Sequence, residues 1–247
     1  MNVIAISQAR TGSTRFPNKI LQKVNGESLL SIHIRRIKNS KKINFIIIAT
    51  TNKKGDDVVE DEANNLSVKC FRGSEEDVLD RFYQAAKPYN PDYVVRLTSD
   101  CPLIDPNLID KIIKIAIKSE VDYCSNTLVE SYPDGQDIEV FSFSSLEKAW
   151  NESKLNSERE HVTPYMKKNL KTLNIHSNNM NYNKVRMTVD VPPDFQVIKK
   201  MIKKLGVNDS WQNYTKLYLN EKKIHSLNNS ILRNEGYLKS VKNDLIN

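Results

Sequence analysis

The 247-residue chain has only three cysteines, Cys70, Cys101 and Cys124, far apart and without a CxxC pair. That spacing excludes a disulfide scaffold and a structural zinc site. No apolar run reaches 18 residues, so no segment reads as a membrane-spanning helix. The start, MNVIAISQARTGSTR, carries its charge after the apolar stretch and has no small-residue cleavage site, unlike a secretory signal. These absences lead to the expectation of a cytoplasmic protein with no membrane partner. Glycine is scarce at seven residues, and neither GxGxxG nor GxxxxGK[ST] occurs, so neither the dinucleotide fingerprint nor the P-loop applies.

What is present is charge, at 27% of residues and a net +7. Much of the lysine is scattered in pairs such as Lys41-Lys42, Lys167-Lys168 and Lys203-Lys204, which reads as a solvated surface rather than a nucleic-acid-binding face. A small anionic substrate fits the same charge.

Through the first two-thirds, strand and helix patterns alternate. Continuously apolar, β-branched runs lie at 3–6, 43–50, 67–71, 93–98 and 121–125, with helical patterns at 28–39, 56–65, 76–87 and 106–119. Asp105 stands as an N-cap with Pro106 at the first helical position. Runs without polar alternation belong to strands buried on both faces, so the fold predicted is α/β with a mostly parallel, doubly wound sheet. After residue 125 the pattern predicts a turn at 132–135, a strand of a mixed sheet at 137–143, and helices at 144–153 and 157–168. A strand pair near 173–176 and 185–189 and a helix at 194–205 follow. One domain is expected over 1–205, with 206–247 as a helical tail packed on the domain or on a partner subunit.

In such sheets ligands bind beyond the carboxyl ends of the strands. The loop after the first strand, QARTGSTRFPNK, holds Arg10, Arg15 and Lys19, the hydroxyls of Ser13 and Thr14, and Gly12. Cations, hydroxyls and backbone N–H groups together suit a polyphosphate; the alternative is a solvated basic turn. Asp100 ends the fourth strand in TSDCPLID, and Asp190 ends an apolar run before Pro192 and Pro193. Each reads equally as a turn or cap residue, but two such carboxylates beside a phosphate loop could hold a divalent metal against a triphosphate. YPDGQDIE gathers three acids, including Asp137 and Glu139; EREHVTPY puts His161 on a helix; and RGSEEDVLDR carries Arg72 and Arg81, placed for a nucleotide or for the neighbouring acids.

The segments QARTGSTRFPNK, RGSEEDVLDRFYQAA, VVRLTSDCPLID, YPDGQDIEVFS, EREHVTPY and MTVDVPPDF follow the order and spacing of one family. The chain resembles the cytidylyltransferases similar to spore-coat polysaccharide biosynthesis protein F, relatives of the 3-deoxy-manno-octulosonate and acylneuraminate enzymes. The likeness runs from about residue 2 to 205, and LNNSILRNEGYLKS in the tail belongs to the same likeness. It implies a nucleotide-diphospho-sugar-transferase-like fold, CTP as donor, Mg²⁺, an anionic acceptor, release of pyrophosphate and a homodimer. Carried over to this chain, Ala9, Arg10, Gly12, Ser13, Arg15 and Lys19 would hold the triphosphate. Arg10, Arg15, Lys19 and Asp100 would serve catalysis, and Asp100 and Asp190 would coordinate Mg²⁺. Arg72 and Thr98 would lie near the cytidine, and Asp137, Glu139 and His161 would face the acceptor, Glu139 and His161 being candidate bases. Two positions depart from the family pattern: Asn18 replaces a common Gly, and Pro193 a common Glu. A metal-dependent glycosyltransferase is the alternative enzyme, disfavoured because Cys101-Pro102 follows Asp100 where a DxD motif is required. A non-catalytic nucleotide-binding protein is the alternative outside enzymes.

Overall fold

The computed structural model describes residues 1–244; the last three residues of the expected tail, 245–247, lie outside the described residues. Its centre is a seven-stranded sheet. In chain order the strands are β1 (Val3–Gln8), β4 (Phe45–Thr51), β5 (Lys69–Gly73), β6 (Tyr93–Thr98), β7 (Tyr123–Ser125), β8 (Glu139–Ser142) and β9 (Thr172–Asn174); β2 (Lys23–Val24) and β3 (Glu27–Ser28) form a small separate hairpin. The sheet order is β5-β4-β1-β6-β8-β7-β9. Only β8 runs against the others, paired antiparallel to β6 and β7. The mostly parallel α/β sheet predicted from the apolar runs is therefore present, with its one reversed strand inside 137–143.

Side chains of β1 alternate between two cores. Val3 and Ala5 join α1 (Leu29–Lys38), α2 (Asp57–Asn65) and α4 (Pro106–Ser119) on one face. Ile4 and Ile6 join α3 (Val78–Ala86), α5 (Phe143–Glu152) and α7 (Pro164–Asn169) on the other. Burial on both faces is why the strands read as unbroken apolar runs. Asp105 caps α4 as its sequence suggests, accepting from the Asn107 and Leu108 amides (2.8 and 3.3 Å).

Two elements differ from the sequence reading. The helix expected over 157–168 is split into α6 (Asn156–His161) and α7. Between them Val162 stands at φ 70°, and the Thr163 amide donates to the His161 carbonyl at 2.8 Å, a γ-turn that a β-branched residue adopts only under strain. Pro164 marks the break: it has no N–H to continue the hydrogen bonding of α6 and stands at the first position of α7. The strand expected at 185–189 is buried and, among the described residues, bridged only at Asp134–Arg186. Its backbone is bonded to loops: Asp134 N to Val185 O (3.0 Å), Met187 N to Asp134 O (2.7 Å) and Val189 N to Asp100 O (2.8 Å). Loops cannot supply the repeating ladder that makes a strand.

After α8 (Pro192–Leu205), helices α9 (Trp211–Asn220), α10 (Lys222–His225) and α11 (Glu235–Asp244) follow. Tyr214, Tyr218 and Ile224 share a buried cluster with Leu29 and Ile32 of α1 and Val197, Ile198 and Met201 of α8, so much of the tail belongs to the core. No helix among the described residues is long and apolar enough to cross a membrane.

Candidate active site

The chain moves from β1 outward through β4 and β5, then crosses back to β6 on the other side of β1. Their parted carboxyl ends create a crevice. A cleft of about 860 Å³ opens there, lined by Ala9, Arg10, Ser13, Thr14, Arg15 and Lys19 from the β1 loop, Thr98 and Asp100 beyond β6, Arg159 and His161 of α6, and Asp190.

The β1 loop is held by its own backbone and by Asp56. The Ser13 and Asn18 amides both donate to the Thr11 carbonyl (2.8 and 3.0 Å), while the Thr11 amide and hydroxyl both donate to Asp56 Oδ1 at 2.7 Å. Burial opposes ionisation of Asp56, but its bonds from Thr51 and Thr11 outweigh it and hold the carboxyl below the usual range. Asn18 stands at φ 55°, a left-handed position that Asn tolerates better than most residues. The exchange of Gly for Asn at this position therefore keeps the loop's turn.

At the centre, Lys19 Nζ lies 3.2 Å from Asp100 Oδ2 and 2.9 Å from Asp190 Oδ1. Burial disfavours the charge on both Asp100 and Lys19, yet their attraction prevails. The Asp100 carboxyl is brought down to about 2, and the Lys19 ammonium is raised above its ordinary value. Arg15 Nη2 also reaches Asp190 Oδ1, at 3.0 Å. Behind it, Arg186 spans Asp134 (2.6 Å), Asp190 (3.0 Å) and Asp194 (2.9 Å), and fixes the far oxygen of Asp190. Two carboxylates from loops 90 residues apart thus converge on one ammonium. Two carboxylates completed by phosphate oxygens and water are a common protein contribution to Mg²⁺ binding, so these residues fit that ion.

The remaining sequence candidates divide. Arg10 lies in the cleft with Nη1 2.9 Å from Glu75 Oε1. Gly12 is outside the lining, its Cα side turned toward Glu75. His161 lines the cleft, and burial holds its imidazole below the ordinary value. Arg72 is not in the cleft. Its guanidinium is turned to Asp57 (2.7 Å) and Glu60 (3.0 Å) of α2, acids outside its own segment, and to the Lys53 carbonyl (2.8 Å). Arg81 is there instead: it is buried, lines the cleft, and donates from Nη1 to the Ser74 carbonyl at 2.5 Å, while Nε has no hydrogen-bond partner among the described residues. Asp137 is turned to Arg233 (2.5 Å), away from the lining. Glu139 is also outside it. Its buried carboxylate accepts from Tyr123 (2.5 Å) and Thr163 (2.8 Å) and pairs with Lys167 (2.9 Å) and Arg96. Burial opposes ionisation, but Lys167 and Arg96 hold this carboxyl far below the carboxylate range. Arg186, to which the sequence assigns no role, positions Asp190. Its signal in the sequence is its place four residues before Asp190.

With this geometry in view, the known relatives agree. The profile of the family described as Cytidylyltransferase matches residues 4–229. An uncharacterized protein of Methanocaldococcus jannaschii is 43% identical over 207 residues, covering 82% of this chain and 84% of its own length. Spore coat polysaccharide biosynthesis protein SpsF of Bacillus subtilis is 32% identical over 214 residues, covering 83% of this chain and 88% of its own. The solved structure of a cytidylyltransferase from Leptospira borgpetersenii serovar Hardjo-bovis superposes with a TM-score of 0.86 at 33% identity, over 94% of this chain and 99% of that one. The fold is that of the nucleotide-diphospho-sugar-transferase-like α/β enzymes. The chain belongs to the cytidylyltransferase family. The resemblance read from the six motifs is met, and the glycosyltransferase and non-catalytic alternatives fall away.

Proposed function

We propose that this enzyme transfers CMP from CTP to an anionic, sugar-type acceptor in surface polysaccharide assembly and releases pyrophosphate. The observation that carries this reading is the meeting of Arg10, Arg15 and Lys19 with Asp100 and Asp190 in one cleft at the carboxyl ends of β1 and β6. The name of the Bacillus subtilis relative supports the polysaccharide setting.

Transfer needs an acceptor oxygen to attack the α-phosphorus while the bond to the β-bridging oxygen breaks. The obstacle is charge, because nucleophile and triphosphate are both negative or become so. Arg10, Arg15 and Lys19 offset that charge, and Arg15 and Lys19 are already oriented by Asp190. Mg²⁺, held by Asp100 and Asp190, would neutralise phosphate charge and help orient the leaving group. Of the two candidate bases only His161 lies in the cleft, where burial holds its imidazole below the ordinary value. A hydroxyl acceptor would need such a base, whereas a phosphate acceptor arrives already ionised.

The test is pyrophosphate release with each of the four nucleoside triphosphates against ulosonic acids, sugar phosphates and phosphonates. Release with CTP and one acceptor class is expected, and Asp100→Asn should lower it by at least about a hundredfold while leaving the fold intact. Equal release from all four triphosphates, or full activity in Asp100→Asn, would refute the reading.

A further inference from the structure

Beyond α10 the chain turns back toward the cleft. Arg233 enters the turn at 130–137. Its Nη1 donates to the Tyr132 carbonyl (3.2 Å), its Nη2 to Asp137 Oδ1 (2.5 Å), and its Nε lies 3.4 Å from Glu130. Asn234, at φ 59°, donates to Glu130 Oε1 at 2.6 Å. Glu235 begins α11 and places Oε2 3.1 Å from Arg15 Nη1. Toward the far end of this ten-residue helix, about 15 Å long, Ser240 donates to Glu160 Oε2 (2.6 Å) and Asp244 accepts from the Ser157 amide (3.2 Å). Arg15 and Glu160 both line the cleft, so α11 ties the β1 loop to α6.

We propose that the Arg15–Glu235 ion pair is a latch that a bound triphosphate releases. The inference rests on the reading of the β1 loop as a triphosphate cradle. Arg15 already gives Nη2 to Asp190, and Glu235 occupies Nη1 with the oxygen geometry that a phosphate would present. A carboxylate seated on Nη1 repels a second anion there, so docking of α11 and binding of the triphosphate compete at this residue. The side chains of the pair are 36% and 44% exposed. An exposed ion pair of that kind biases the competition by about two- to fivefold rather than blocking the site.

The test is titration of inorganic tripolyphosphate into the full-length protein and into Glu235→Gln, which keeps the shape of the side chain. The variant should bind about two- to fivefold more tightly. Reciprocity requires that saturating tripolyphosphate raise amide exchange at 240–244 in the wild type by a similar factor, and do so less in Glu235→Gln. Glu221→Gln, the same charge change outside the cleft on a residue paired with Lys204, controls for bulk charge and should leave affinity unaltered. Equal effects of the two variants, or an unchanged or weaker affinity in Glu235→Gln, would overturn the latch alone. Failure of tripolyphosphate to bind any of the three proteins would overturn the cradle reading and the latch with it.

Discussion

Arg15 and Lys19 carry the same charge but do different work. Lys19 presents one buried point charge between Asp100 and Asp190, whereas Arg15 uses two edges of a planar group at once. Arg15→Lys preserves net charge and loses the fork, so CTP use should weaken about tenfold, equivalent to about 1.4 kcal/mol. Lys203→Arg, on the exposed side of α8, should change nothing. Steady-state kinetics of both at low and physiological salt separate positioning from bulk attraction, and wild-type behaviour of Arg15→Lys at both would remove the cradle. His33 makes a second prediction. Its Nδ1–H donates to the Cys101 carbonyl (2.9 Å), so Nε2 accepts from the Ser7 hydroxyl (2.9 Å) and the fold requires the neutral ring. Burial brings the imidazole pKa down to about 4 from 6.5, despite the Cys101 bond and nearby Asp100. A group depressed in this way contributes stability above 6.5 and loses it as pH falls toward 4, by up to about 3 kcal/mol. Wild type should therefore lose its advantage over His33→Gln across that interval in urea unfolding; a pH-independent difference would contradict it.

The turn at 132–135 and the extended segment 185–189 depend on one glycine. Gly135 sits at φ 105°, and a Cβ there would lie 2.6 Å from the Met187 carbonyl carbon and 2.7 Å from the Thr188 amide. Both neighbours are backbone, so neither can swing aside. Gly135→Ala should cost at least about 2–3 kcal/mol. It should also lower turnover, because the two segments it forces apart carry Asp134 and Arg186, and Arg186 holds Asp190. Stable folding with full activity in Gly135→Ala would show that the crossing is looser than the distances state.

Much of the tail is part of the core rather than an appendage. Tyr218 is fully buried and donates to Asn228 Oδ1 at 2.7 Å. The buried Arg36 of α1 binds the carbonyls of Ile104, Val207 and Asp209 (2.6, 2.5 and 3.0 Å), which stitches α1 to the segment that follows α8. Tyr218→Ala should destabilise by about 3–5 kcal/mol, while Leu219→Ala beside it, half exposed, should stay within about 0.5 kcal/mol. Chemical denaturation distinguishes these outcomes, and equal costs would mean that α9 is not a core element.

The sequence by itself determined the parallel sheet, the cap of α4 at Asp105 and the cations of the β1 loop, because apolar period and turn chemistry are local and survive in one dimension. It also carried the family, since six motifs in order outlast changes such as Asn18, whose left-handed geometry the loop retains. Only the tertiary structure decided which charges meet. Lys19 lies 81 residues from Asp100 and 171 from Asp190, and no spacing rule predicts that both carboxylates converge on it. Glu139 reads as a candidate base until β8 pairs with β6 and sets it against Arg96, and Lys167 joins it there. Arg72 and Arg81 read alike along the chain, but Arg72 finds two carboxylates on α2 while Arg81 is buried in the cleft. A side chain's role is set by the partners within about 3 Å of its polar atoms. Those partners are fixed by strand pairing and helix packing, which act over the whole length of the chain.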